Sequence, residues 1–410
     1  MAPLVAFVSG SYRPDRCGVA DYTRRLALSL EAEGLTTCVV TSEQSQTDAE
    51  LPPFPVAITL TRDWRLSGLA ALARRLSQLK PHVVHVQHSA SSFGHSHSFG
   101  LFPLLLKVFM PGVPMVTTLH EYGGWGVKPR LVPAPILDTV GSWLERAGIA
   151  DRESLFLMSL SRAVIATNQY HFDYVKAHVP GVAHKLRLVP IGPNILATQN
   201  GRAQIRDRVL AELGLPEYAT LLCYFGFIHP VKGLETLLRA FRRVADVSTH
   251  LLVIGGVQSL SLTEQEASGY YSRLIDLRQE LGLGQSVTFT GYVDGERVSE
   301  LLHASDICVL PFNHGASLKS GSLLAALAHG LPVLTTRTEA TTEDLRDGEN
   351  VLLVPPRDQE ALARALERLA SSPDLRASLR EGALALANRF SWNQIAGEHV
   401  RLYNMLLRRE

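Results

Sequence analysis

Twelve short apolar runs, with helical stretches between them, constrain this chain more than any other feature. One series falls at residues 4–9, 37–41, 83–87, 115–119, 163–167 and 186–190, and a second at 220–225, 250–254, 287–290, 306–310, 332–335 and 351–354. Regular alternation of strand and helix implies parallel sheets, because each parallel pair needs a crossover long enough for a helix. At 410 residues the chain is too long for one ordinary core. The expected fold class is therefore α/β, in two similar halves. The polar stretch 198–208 marks the restart. It divides an N-terminal domain (1–197) from a C-terminal domain (198–385). Beyond them, Trp392, Ile395, His399, Leu402 and Tyr403 recur at helical spacing. The segment 386–410 is expected to be a helix that returns to the first half.

The formal net charge is +1, a near balance that argues against a broad nucleic-acid surface. Cys17, Cys38, Cys223 and Cys308 are scattered and form no CxxC pair, so neither a disulfide framework nor a zinc site is indicated. A reducing, cytoplasmic setting is expected, and the first residues lack the basic flank of a signal peptide. The longest apolar stretch, 99–116, contains Lys107 and three prolines and does not make a spanning helix. It reads as a buried helix beside a cleft, with a peripheral contact at the inner membrane face as the alternative.

The stretch DICVLPFNHGASLKSGSLLAALAHGLPVLTT (306–336) is the most informative in the chain. An apolar run ending at Pro311 predicts a buried strand. A small-residue loop follows, then an apolar helix over 322–329 stopped by Gly330 and Pro332, then another strand. Loop N–H groups and a helix N-terminus facing an anion, with the charge of Lys319 added, are how α/β proteins hold phosphate. The common glycine-rich phosphate motifs are absent, and any doubly wound domain has Gly and Ser in such turns. The other strand ends strengthen the phosphate reading. Ligands of open parallel sheets bind beyond the C-terminal strand ends. GSYRPDRCGVADYT, HSASSFGHSHSFG, His120 with Glu121, FGFIHPVKG, GYVDGE and the 306–336 loop all follow strands. They are expected to converge on one crevice between the halves.

These segments together resemble the retaining glycosyltransferases of family 4 (glycosyl transferases group 1), which have the GT-B fold of two Rossmann-like domains. CGVADYT (17–23), VVHVQH (83–88), VTTLHE (116–121), VIATN (164–168), LVPIGPNI (188–195), FGFIHPVKGLETLLRAF (225–241), VTFTGYV (287–293), LLAALAHGLPVLTT (323–336) and ENVLLVPP (349–356) carry the resemblance, in order, over nearly the whole chain. It implies transfer of a sugar from a nucleotide-sugar donor to a hydroxyl acceptor, with no metal or other cofactor. Gly18 corresponds to the glycine whose backbone approaches the donor diphosphate. Lys232 corresponds to the phosphate-binding lysine, and His120 to the histidine near the reacting sugar. Tyr292 and Val293 fall in the turn that borders the base. Gly315, Ala316 and Ser317 fall in the loop whose N–H groups meet the sugar. Lys319, Gly321 and Ser322 complete the donor-binding run.

Two departures stand out. The family's usual pair of glutamates is replaced by Ser317 and Ala325, and an arginine after Gly226 is replaced by Phe227. Lys319 is expected to compensate for that arginine. The alternative is a catalytically silent protein that binds a nucleotide sugar or glycan. Among His82, His85, His88, His95 and His97, strand alternation sends His82 and His85 to opposite faces, and no metal site is expected. Glu339 and Glu343 read as surface helix residues. The donor base, the sugar and the acceptor have no readable code.

Overall fold

The computed structural model describes residues 2–12, 17–41, 64–123, 134–197, 201–257, 262–339 and 344–408. The chain divides into two compact units, Met1–Ile191 with Trp392–Glu410, and Gly192–Ser391. The first contains β1 (Leu4–Ser9), β2 (Thr36–Val40), β3 (Val83–His88), β4 (Met115–Leu119), β5 (Ala163–Ala166) and β6 (Leu186–Leu188), in the order β2-β1-β3-β4-β5-β6. The second contains β7 (Thr220–Phe225), β8 (Thr249–Ile254), β9 (Val287–Gly291), β10 (Ile307–Leu310), β11 (Val333–Thr336) and β12 (Leu352–Val354), in the order β12-β11-β10-β7-β8-β9. Every pairing is parallel. The class is α/β, with two doubly wound sheets.

Each sheet is covered on both faces, and the pleat decides which residues go where. In β1, Val5 and Phe7 point to one face and Ala6 and Val8 to the other, all wholly buried. Val5 and Phe7 join Leu26 and Leu30 of the helix Gly18–Ala32 and Trp392, Ile395 and Tyr403 of the helix Trp392–Leu407. Ala6 and Val8 join Leu69, Leu72, Phe102 and Leu106 from the helices Leu66–Leu79 and Phe102–Phe109. The terminal helix thus completes the first unit's core. Each large apolar side chain it buries contributes roughly 1.5–3 kcal/mol.

The apolar stretch 99–116 forms a tight turn, His97–Leu101, and the short helix Phe102–Phe109. Phe99, Phe102, Leu106 and Met110 are buried, while Val108 is 74% exposed. No helix of the described residues is long and apolar enough to cross a membrane. Glu339 lies in an exposed turn rather than a helix, and Glu343 lies outside the described residues. Cys38, Cys223 and Cys308 are buried free thiols on strands, and Cys17 precedes the first helix.

Candidate functional site

Strand order locates the candidate site within each unit. In an open parallel sheet the connections leave in opposite directions at one point, opening a crevice beyond the strand ends. In the second sheet that point lies between β7 and β10. There β7 leads into the turn Pro230–Lys232, and β10 leads into the loop before the helix Gly321–Ala328. In the first sheet it lies between β1 and β3, with Gly10, which follows β1, on one side and the residues after His88 on the other.

Asn313 joins the two loops of the second unit. Its backbone N–H donates to the Val231 carbonyl at 2.9 Å and its Nδ2 to the Pro230 carbonyl at 2.9 Å. Lys232 is thereby held with Nζ 4.6 Å from the centre of the Phe312 ring, a favourable cation–π distance. Burial lowers the pKa of Lys232 below its ordinary value, and the charge of Lys319 lowers it further. The two ammonium groups thus act on a shared neighbourhood, with Lys319 exposed and Lys232 half-buried. Ser320 caps the helix by accepting the Leu323 N–H at 3.4 Å, so the helix begins at Gly321, one residue before the position expected from the sequence.

One expectation for the loop changes. The N–H of Gly315 donates to the Phe312 carbonyl at 3.3 Å and that of Ala316 to the Thr336 carbonyl at 2.8 Å. Both donors are occupied within the chain, so neither can meet a sugar without breaking a bond. The N–H groups of His314, Ser317, Leu318, Gly321 and Ser322 have no acceptor among the described residues, and these are the loop's open donors. Tyr292 is 54% exposed just beyond β9, with Val293 half-buried beside it. That strand is two positions from β7, which fits a ligand extending along the sheet edge.

In the first unit, His120 follows β4. Its backbone N–H donates to the His88 carbonyl at 2.8 Å, and its Nε2 donates to Gln87 Oε1 at 2.8 Å. The edge of the Tyr22 ring packs against it, 4.7 Å between centres. Burial pushes the His120 pKa down to about 3. The imidazole is therefore neutral at pH 7, and with Nε2 donating, Nδ1 carries a lone pair. Glu121 turns to other partners, accepting from Ser89 Oγ at 2.5 Å and Ser91 Oγ at 2.9 Å. Tyr122 Oη donates to Asp151 at 2.8 Å and the Gly123 N–H donates to Glu153 at 2.8 Å. The turn is therefore anchored on both sides of His120. Gly18 opens its helix where an added Cβ would meet no atom within 4 Å, so packing among the described residues does not require glycine there.

Sequence reasoning gave no individual role to Gln87, Asn313 or Asn194. Each carries a buried side-chain polar atom without a partner among the described residues: Gln87 Nε2, Asn313 Oδ1 and Asn194 Oδ1. Asn194 also packs beside Gly321. The signal was available, since each is an amide at or just beyond a strand end inside a quoted motif.

Comparison with known proteins bears directly on this arrangement. The family model for Glycosyltransferase Family 4 matches residues 17–195, and that for Glycosyl transferases group 1 matches residues 219–372. The chain belongs to glycosyltransferase family 4. A D-inositol 3-phosphate glycosyltransferase of Stackebrandtia nassauensis is 29% identical over 73% of this chain. The match spans 64% of that relative's length, which is less than two thirds. A glycosyltransferase from Rickettsia africae superposes with a TM-score of 0.74 at 14% identity, covering 100% of both chains. Anabaena Alr3699/HepE in complex with UDP and glucose superposes at 0.69 and 17%, covering 98% of this chain and 100% of its own. At these identities the likeness is one of fold, and it is GT-B.

Against its family 4 background, the chain's departures have definite surroundings. Ser317 is half-buried, with its Oγ accepting the Lys319 N–H at 3.4 Å. Ala325 is wholly buried, so the second glutamate's position is closed as well as uncharged. Phe227 follows Gly226 and its carbonyl accepts from Tyr224 Oη at 2.9 Å.

The turn that carries Lys232 depends on Gly233. Its φ is +75°, and a Cβ added there would lie 2.0 Å from the Pro311 carbonyl oxygen. Gly233→Ala is expected to destabilise the second unit by about 2–6 kcal/mol through left-handed strain and backbone overlap together. Gly214 has φ +67° with open space around it, so Gly214→Ala isolates the strain alone and should cost about 1–2 kcal/mol. Denaturant midpoints test this, and equal losses for the two variants would refute the close-approach argument.

Proposed function

We propose that this chain transfers a sugar from a nucleotide-sugar donor to a hydroxyl acceptor with retention of anomeric configuration. The observation that carries this reading is the β7/β10 edge, where Lys232 is close enough to Lys319 to feel its charge and the loop after β10 carries N–H groups without an acceptor among the described residues. Such a set suits a diphosphate, and it suits best the charge that grows as the diphosphate leaves. The relative solved with UDP and glucose is named for ligands of this chemistry.

Retention by two displacements would need a carboxylate nucleophile on the far face of the sugar. Glu121 is the nearest such residue in sequence to His120, but its carboxylate is engaged by two serine hydroxyls. A same-face reaction fits better. The bond from the anomeric carbon to the phosphate oxygen breaks, and the acceptor oxygen bonds on the same side. The departing phosphate oxygen takes the acceptor's proton. His120, neutral and fixed by Gln87, accepts a sugar hydroxyl through Nδ1 and positions the ring without acting as base. By the family resemblance, Gly18 is the glycine whose backbone approaches the diphosphate, and Tyr292 and Val293 border the base. The two ammonium groups supply the cationic charge, so no metal is required in this reading.

A second reading has its own support. Ser317, Ala325 and Phe227 remove two carboxylates and a cation from the family's usual set, as expected for a protein that binds a donor or glycan without turning it over. A thermal-shift panel of UDP-, GDP-, ADP- and TDP-sugars, followed by product analysis with a hydroxyl acceptor set that includes inositol phosphate, separates the two. A ligand at about a hundred times its Kd adds roughly 2.7 kcal/mol of stability. A shift with one nucleotide class and a product of the donor's anomeric configuration is the expected result. A shift without product would establish the silent reading, and no shift with any donor would remove both.

A further inference from the structure

A cavity of about 580 Å³ lies within the first unit, at the opposite end of the sheet from the ligand-binding strand ends. Met115 and Ala163, the first residues of β4 and β5, form part of its lining. Four cationic side chains, Lys107, Arg162, Lys185 and Arg187, also line it, and no carboxylate does. Among the described residues none of the four has an ion-pair partner, although arginines elsewhere in the chain are regularly paired. Lys185 is half-buried and fixed by donating to the Ser159 and Ser161 carbonyls at 2.6 and 2.9 Å. Its pKa falls to about 8, through burial first and then repulsion from Lys107 and Arg162. Concentrated positive charge without a counter-charge is unfavourable to the protein alone and is relieved by an anion. The rest of the wall mixes polar residues, Ser159, Ser161 and His184, with an apolar part that includes Leu106, Met110 and Met405, the last two thioethers that adapt to irregular aliphatic shapes.

We propose that this cavity binds a phosphate-headed amphiphile, with the phosphate against the cationic wall and the apolar body against Met110 and Met405. The site is separate from the donor edge, and its test makes no use of sugar transfer.

Calorimetry on the full chain with dihexanoyl phosphatidic acid, inorganic phosphate and uncharged dihexanoylglycerol tests the proposal. Lys107→Gln combined with Arg162→Gln removes two exposed charges and leaves the Lys185 anchor in place. The expected result is saturable binding of the phosphatidate, weakened at least tenfold in the double variant. Inorganic phosphate is expected to compete more weakly, and the uncharged lipid not to bind. Inorganic phosphate binding as tightly as the phosphatidate would overturn the amphiphile in favour of a free phosphorylated solute. Equal affinity in the double variant, or binding only to anionic vesicles and not to the soluble lipid, would overturn the cavity as the site.

Discussion

Replacing Lys232 by alanine is expected to lower kcat/KM for donor turnover by about 10²–10³-fold, the usual consequence of removing one preorganised electrostatic donor. Its position explains the size of the effect. The ammonium is half-buried over Phe312 and held by a turn that Asn313 ties to the loop after β10. Water therefore screens it little, and it spends no reorganisation when the diphosphate develops charge. Lys319 is exposed, so Lys319→Ala is expected to cost less, about tenfold. The two losses should not add, because each ammonium lowers the cost of the other's absence at a shared anion. Lys232→Arg should recover only part of the activity, since a planar guanidinium does not reproduce a point charge over the ring. The informative measurement is donor kcat/KM for the four enzymes under one salt condition. If Lys232→Ala turned over within threefold of wild type, the β7/β10 edge would not be the donor phosphate site.

The residues that made the fold readable are those whose neighbours in sequence are also their neighbours in energy. The segments 4–9, 115–119 and 220–225 are apolar runs bounded by polar or breaking residues, and they became β1, β4 and β7 with unchanged limits. Two of the ends that moved did so through a cap or a pairing. Ser320 caps the helix before Gly321, and β9 extends to Gly291 because its pairing with β8 continues through an irregular step. The site was legible as positions but not as bonds. Lys232, His120 and Ser317 stand at strand ends that sequence alone could mark. That Ala316 gives its N–H to Thr336 depends on a contact made only once β10 and β11 are paired. His85 is a sharper case. Its Nδ1 lies 2.6 Å from Tyr403 Oη, across 318 residues of sequence, and no local pattern anticipates that. The cationic cavity was invisible for the same reason, because Lys107 and Arg187 stand 80 positions apart in the sequence.

Acidification is expected to unfold the first unit steeply between about pH 6 and 4. Four histidines there are neutral, His85, His88 and His399 buried and His120 half-buried. Burial lowers His88 and His399 to about 4 and His120 to about 3, and lowers His85 as well, with His399 and His120 adding to the last. The unfolded chain protonates them near 6.5. Each therefore contributes stability that is fully present above that value and lost as pH falls through the folded pKa. The loss is at most about 1.4 kcal/mol per pH unit for each group. Several such groups in one core can exhaust a typical margin of about 5–15 kcal/mol. Tryptophan fluorescence reports the event cleanly, because Trp64, Trp125, Trp143 and Trp392 all belong to the first unit. His399 identifies the cause. Its Nδ1 lies 2.7 Å from the Ile395 carbonyl within its own helix, and its Nε2 is buried without a partner. His399→Leu removes the proton acceptor and keeps an apolar filling of similar volume. The variant is expected to lie within about 1.5 kcal/mol of wild type at pH 8, with its acid midpoint lower by about 0.3–0.5 unit. A midpoint that stays put or rises in His399→Leu would mean that protonation elsewhere governs the acid transition. The paired carboxylates Asp306 and Glu300 of the second unit would then be the next groups to remove.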